Sequence, residues 1–321
     1  MPNIRQETLE CLPPPDNFSG NSAHTLDTSA QLRKPLLKRA KSKHFTNKLA
    51  IALAEQRNEF EQYYRNAFYC NHDLTQVGNV ITGKYCKTRI CNTCNRIRMA
   101  NLIDGYSPVL DKFSDLQFMT LTIPNCPGAD LSQAITTMWK SFVKVIDRLR
   151  KRGIHPSGLR KLEITYNVKR KDYHPHYHVI VSSKEVATAM LTEWMKLNPT
   201  SSIKAQDIRP VTAGAQKELF KYTAKVVTKI NGKQVIVIDA VDTIIRALHK
   251  RRIIQPFGEI RKEVSEDIEE VFELDAARYD IPDYELMSWK WYGDDWVNEY
   301  GELLTGYTPS DFVTNISFDY S

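Results

Sequence analysis

The sequence predicts an α+β fold, a central antiparallel sheet with flanking helices. Three observations carry that expectation. Segments 116–123, 159–168 and 174–182 read as strands, the first rich in β-formers and bounded by Pro124-Asn125. Amphipathic helical segments come between strand segments, as at 132–152 and 184–197. The short polar turn Lys169-Arg170-Lys171-Asp172 joins two strands too closely for anything but a hairpin. With 42% hydrophobic and 26% charged residues, such a chain can bury a sizeable core.

The elements follow in order. Residues 1–30, with Pro13-Pro14-Pro15, Asn, Ser and Thr and little periodicity, predict a disordered leader. Residues 31–68 predict basic helix, with apolar Leu49, Leu53 and Phe60 near helical spacing. A cysteine-rich insert spans 70–94. The strand 116–123 ends at Pro124-Asn125, and the helix 132–152 stops at Gly153. The hairpin strands 159–168 and 174–182 come next. The helix 184–197 ends before Asn198-Pro199. A strand at 203–211, a helix at 215–229, a short strand at 233–240 and a helix over 241–252 complete the pattern. The organisation expected is a leader (1–30), a basic helical and zinc-binding segment (31–110), a catalytic α+β domain (111–262) and an acidic tail (263–321).

Net charge is +6, but unevenly spread. From Glu259 onward the chain carries −13, which leaves +19 on the rest. A body so basic suits a polyanion, and nucleic acid is the common one. Lys34, Lys38 and Arg39 in the helical segment, and Arg89, Arg96 and Arg98 around the cysteines, are candidate DNA contacts. No apolar run reaches transmembrane length, and the N-terminus lacks the basic-then-apolar pattern of a secretory signal. An intracellular, cytoplasmic protein without membrane association is the expectation. The tail sets Trp289, Trp291, Tyr292, Trp296 and Tyr300 among acids. That charge disfavours stacking on bases and favours packing of a small subdomain, with docking of a partner protein as the alternative.

In His174-Pro175-His176-Tyr177-His178, strand alternation puts the three histidines on one face. Three of the chain's eight histidines in five positions are costly to bury without partners, and a divalent metal satisfies them. If the hairpin centres between Arg170 and Lys171, Glu163 faces His178 and Thr165 faces His176. Glu163 is then the first choice as third ligand beside His176 and His178. His174 is the alternative, or a group that orients a ligand. Two imidazoles and a carboxylate leave open positions, suited to Mg²⁺ or Mn²⁺ polarising a phosphate, whereas three histidines would lean towards zinc.

Cys86-x₄-Cys91-x₂-Cys94, with Cys70 upstream, offers four thiolates for a tetrahedral zinc. His72 could replace Cys70. Cys11 and Cys126 have no partner by spacing. On the helix 215–229, Glu218 and Tyr222 are four apart and Lys225 three further on, so all three share a face. Alone, such a trio reads more readily as a solvated face than as a phosphoryl-transfer set.

Together these segments resemble the rolling-circle replication initiators of small bacterial plasmids, the single-tyrosine class of HUH endonucleases. Phe118-Met119-Thr120-Leu121-Thr122-Ile123-Pro124-Asn125 resembles the first motif and the histidine strand the second. Glu218-Leu219-Phe220-Lys221-Tyr222-Thr223-Ala224-Lys225 resembles the third. The cysteine block and residues 251–262 are also similar, although the second cysteine pair encloses Asn92-Thr93 where the family usually has a proline.

The resemblance implies an HUH fold and a catalytic metal on His176 and His178. Tyr222 would attack the scissile phosphate and stay joined to the 5′ end, leaving a 3′-OH for a polymerase. Glu218 would activate water for the terminating cut, and Lys225 would lie near the phosphate. The partner implied is a double-strand origin, single-stranded at the nick, with host helicase and polymerase. Two other readings share part of the pattern: an HUH transposase or relaxase, and a non-catalytic zinc-containing DNA-binding regulator.

Overall fold

The computed structural model describes residues 30–78, 80–212, 219, 228–230, 233–262 and 286–320. The expected leader, most of the Tyr222 segment and the most acidic stretch of the tail lie outside them. The chain is a mixture of helices and antiparallel sheet, as expected, and it divides into two compact units.

One unit comprises residues up to Arg98, residues 229–238 and residues 266–320. Its helices are α1 (Ala30–Ala54) and α2 (Glu61–Phe68). A four-stranded antiparallel sheet has the order β11-β10-β1-β2, from β1 (Asp73–Val77), β2 (Val80–Gly83), β10 (Leu286–Tyr292) and β11 (Asp295–Val297). The tail thus supplies two of the four strands. β10 alternates exposed and buried residues, and its buried members Trp289 and Trp291 join Trp296, Leu36, Ala40, Leu74 and Leu304 in one core. These tryptophans are packing residues, which is the reading favoured from the sequence. A second sheet has the order β12-β8-β7, from β7 (Thr228–Ile230), β8 (Lys233–Val237) and β12 (Ser317–Asp319), with β12 parallel to β8.

The other unit comprises residues 99–228 and 239–265. Its antiparallel sheet has the order β6-β3-β5-β4-β9, from β3 (Gln117–Thr122), β4 (Gly158–Asn167), β5 (Asp172–Val181), β6 (Asp207–Pro210) and β9 (Ile254–Phe257). β3, β4 and β5 are buried on both faces over much of their length, as expected of strands covered by helices. α4 (Leu131–Lys151) buries Ile135, Met138, Phe142, Val145 and Leu149 at helical spacing. α5 (Lys184–Leu197) begins at Ser183, whose hydroxyl caps the Val186 amide. The Trp194 indole donates to the carbonyl of Thr122 and ties α5 to β3.

Three expectations are corrected. A 3-10 turn occupies Ile203–Ala205, so the strand there starts only at Asp207. The segment expected as helix to residue 229 is already strand at Thr228, within a β-branched run that favours extended backbone. The helix expected over 241–252 runs over Ile238–Leu248 instead.

A fourth correction bears on the site. In the β4–β5 hairpin Glu163 faces His176, Thr165 faces His174 and Lys161 faces His178. The expected pairing was Glu163 with His178 and Thr165 with His176. The four-residue loop centres between Lys169 and Arg170. Asn167 closes it, its carbonyl accepting from the Lys171 amide at 2.8 Å and its side chain from the Arg170 amide at 3.0 Å, with Lys171 at φ 54°. The slip is two residues, an even number, so each side chain keeps the face expected of it.

Candidate functional site

β3, β5 and β4 lie side by side and bring Thr122, His176 and Glu163 into one row, with Thr120, His178 and Lys161 in the next. One ligand atom from each of Glu163, His176 and His178 lies within 4.8 Å of the others. Glu163 and His176 are buried, and His178 is partly exposed. The His178 Nε2 stands 3.7 Å from Glu163 Oε2.

The imidazoles are oriented from behind. The Nδ1–H of His176 donates to the carbonyl of His174 at 3.1 Å, which leaves Nε2 with the lone pair. His178 Nδ1 meets the Thr120 hydroxyl at 3.3 Å. Burial, and then the neighbouring His178, pull the His176 pKa down to about 4, so the ring is neutral near pH 7. Imidazole nitrogens and one carboxylate make a donor set that fits a divalent cation.

His174, the alternative ligand, donates from Nδ1 to Asn125 Oδ1 at 2.8 Å, and Asn125 donates in turn to Asp172 at 2.7 Å. Its ring stacks on His176 with centroids 5.2 Å apart. Asn125 and Thr120 were not singled out as site residues in the sequence. Both sit in the first motif, and their pairing with the histidines is what strand order adds. Lys161 was also missed. It is fully buried, and its ammonium donates to Glu163 Oε2 at 2.8 Å. A charged residue between apolar Leu159, Leu162 and Ile164 was the signal that could have found it.

Glu218, Tyr222 and Lys225 lie outside the described residues. Leu219 is described. It is helical and fully buried, in a cluster with Phe118, Leu159, Ile180, Tyr106 and Leu110. The Phe118 ring lies 5.2 Å from that of His178.

The other unit holds the cysteines. Cys70 follows α2, Cys86 follows β2, and Cys91 and Cys94 bracket the start of α3 (Asn92–Leu110). The sulfurs all lie within 4.8 Å of one another, with Cys70 to Cys94 at 3.6 Å and Cys86 to Cys94 at 3.7 Å. Ligands about 2.3 Å from a zinc ion at tetrahedral angles stand about 3.8 Å apart, so the cluster fits that ion. Hydrogen bonding between sulfurs raises the Cys70 pKa and lowers that of Cys86. His72, the alternative to Cys70, stands 3.4 Å from Asp73. Beside the cluster, Lys43 is buried and donates to the Phe68 carbonyl. Burial pulls its pKa down to about 8, against the pull of the cysteine sulfurs.

The basic candidates differ in surroundings. Lys34, Lys38 and Arg96 are exposed, and Arg96 also reaches the Lys38 carbonyl at 3.2 Å. Arg39 bonds the Tyr85 hydroxyl. Arg98 bonds the carbonyls of Lys87 and Thr88, holding the cysteine loop. The Arg89 amide donates to the Tyr63 hydroxyl at 2.6 Å.

Fold and site together define an α+β protein with a Glu/His/His ligand group on an antiparallel sheet and a separate four-cysteine cluster, both able to hold metal. Residues 77–293 match the family model Rep_1, described as Replication protein. The chain belongs to this family of replication proteins, and the resemblance to plasmid rolling-circle initiators holds. Among its relatives is the Protein rep of Staphylococcus aureus, 30% identical over 158 residues, covering 44% of this chain and 69% of the relative. The Protein rep of Streptococcus pneumoniae serotype 2 is 31% identical over 106 residues, 31% of this chain and 33% of the relative. That of Bacillus amyloliquefaciens is 29% identical over 105 residues, 31% of each. The chain thus spans about a third of the latter two. No solved structure matches it significantly. No described helix is long and apolar enough to cross a membrane.

Proposed function

We propose that this replication protein starts plasmid rolling-circle replication by nicking one strand of the origin, with an HUH-type site in the unit of residues 99–228 and 239–265. The observation that carries this reading is the Glu163–His176–His178 group on adjacent strands, in a chain of the Rep_1 family. These three residues would hold a divalent cation, Mg²⁺ or Mn²⁺, which would supply Lewis-acid polarisation of the scissile phosphate. His176 and His178 would be the imidazole ligands, with His176 Nδ1 held by the His174 carbonyl and His178 Nδ1 beside the Thr120 hydroxyl.

Tyr222 is the nucleophile in this reading. Its phenolate attacks phosphorus, a 5′-phosphotyrosine bond forms, and the leaving 3′ oxygen takes a proton to become the 3′-OH that a polymerase extends. Tyr222 is three positions beyond Leu219 in the sequence, and three residues of chain span at most about 11 Å. Leu219 is anchored in the cluster of Phe118, the neighbour of His178. Glu218 takes the proton of a water in the terminating cut, and Lys225 offsets phosphate charge. Cys70, Cys86, Cys91 and Cys94 hold a structural zinc. Lys34, Lys38, Arg39, Arg89, Arg96 and Arg98 contribute to the positive field around the DNA.

The test is conversion of a supercoiled plasmid carrying its own replicon into open circles. Conversion with Mn²⁺ or Mg²⁺, and its loss in the double variant His176→Ala/His178→Ala, is the expected result. Undiminished nicking by that variant would overturn the reading.

A further inference from the structure

We propose that Lys161 is a positioning residue that serves as a built-in counter-ion for Glu163, competing with the divalent cation for that carboxylate. The inference rests on the reading of Glu163, His176 and His178 as a metal site. Lys161 faces His178 on β5 and Ile254 on β9, so its side chain stands on the site's face of the sheet. That side chain is 0% exposed, and Glu163 is 5% exposed. The Lys161 ammonium lies 2.8 Å from Glu163 Oε2, the same oxygen that stands 3.7 Å from His178 Nε2. One carboxylate oxygen thus faces both the ammonium and the imidazole ligand.

A buried ion pair is poorly explained by stability alone, because well-packed apolar residues do as well or better. A carboxylate aimed at two imidazoles needs a cation nearby when no metal is bound, and Lys161 provides it. The ammonium and the carboxylate offset one another in the buried pair, so the ligand group is held assembled before a metal arrives. An incoming divalent cation gains the carboxylate but meets the fixed positive charge beside it. Lys161 therefore keeps the ligands in place and holds the affinity down.

The test uses the full chain dialysed free of manganese and magnesium. Mn²⁺ is titrated into wild type, Lys161→Gln, Lys161→Arg and Glu163→Gln, with the free ion followed by electron paramagnetic resonance. Melting is recorded with and without Mn²⁺. Glutamine keeps a donor for Glu163 and removes the charge. Lys161→Gln is expected to bind Mn²⁺ about five- to 150-fold more tightly, the usual span of a coupling between two sites. It is also expected to melt several degrees lower without Mn²⁺ and to regain that loss when Mn²⁺ is added. Lys161→Arg keeps the cation and should bind Mn²⁺ as wild type does. Equal or weaker Mn²⁺ binding by Lys161→Gln, while Glu163→Gln loses binding, would overturn the proposal. So would a Lys161→Gln chain that fails to fold and is not rescued by Mn²⁺. If wild type and Glu163→Gln bind Mn²⁺ alike, the metal reading of the site itself is what fails.

Discussion

Glu163 and His176 stand directly opposite one another across the β4–β5 hairpin, and His178 meets the same carboxylate from the next row. This pairing fixes which variants should separate ligands from supporting residues. Glu163→Ala is expected to weaken Mn²⁺ binding and Mn²⁺-dependent nicking by at least about 100-fold. His174→Ala removes a group that is held by Asn125 and stacks on His176, and should cost about 10- to 100-fold, as loss of a residue that orients a ligand does. A Mn²⁺ titration of both variants measures this. If His174→Ala cost as much as Glu163→Ala, His174 would be a ligand.

The hairpin also shows how far the sequence could be read. The strand positions, the histidine face and the placing of Glu163 on that same face were legible, because side-chain alternation survives an even slip in register. The slip itself was not. It depends on Asn167 capping the loop and on Lys171 adopting a left-handed conformation, neither of which charge or polarity reveals. The partnership of β10 with β1 was hidden for another reason. More than 200 residues separate Leu74 from Trp289, and no local pattern encodes such a pairing.

His176 gives a pH dependence. Its folded pKa is about 4 against 6.5 for the free side chain. As pH falls from about 6.5 to 4 the unfolded chain takes up a proton that the folded chain refuses, so stability falls across that window and levels off below it. The loss is on the order of 3 kcal/mol. Denaturant melts of the Mn²⁺-free protein from pH 7.5 to 4 should show wild type losing about that much more than His176→Asn. Parallel profiles would contradict the assignment.

The cysteine cluster should hold one zinc ion per chain. Replacement by Co²⁺ is expected to give the visible absorption of a tetrahedral thiolate site, and Cys94→Ser should abolish that band and lower the melting temperature by on the order of 10 °C. An unchanged Co²⁺ spectrum in Cys94→Ser would rule out the four-cysteine site.

Trp296 is fully buried, packs edge-on against Trp291 at 4.6 Å and donates to the carbonyl of Asn71, the neighbour of Cys70. Trp296→Ala is expected to cost about 3–5 kcal/mol. Faster zinc release to a chelator should accompany it, because the same residue braces the cysteine loop. Denaturant titration and a zinc-release assay check both. A loss below about 1 kcal/mol would mean that the tail strands do not stabilise this unit.

The central claim is that Tyr222 attacks the DNA. The most direct measurement incubates the protein and Mn²⁺ with labelled single-stranded oligonucleotides tiling its own replicon. Denaturing electrophoresis and peptide mapping of any adduct follow. The account expects one oligonucleotide to leave a 5′-phosphate joined to Tyr222, and Tyr222→Phe to form no adduct. An adduct that persists in Tyr222→Phe, or maps to another residue, would contradict it.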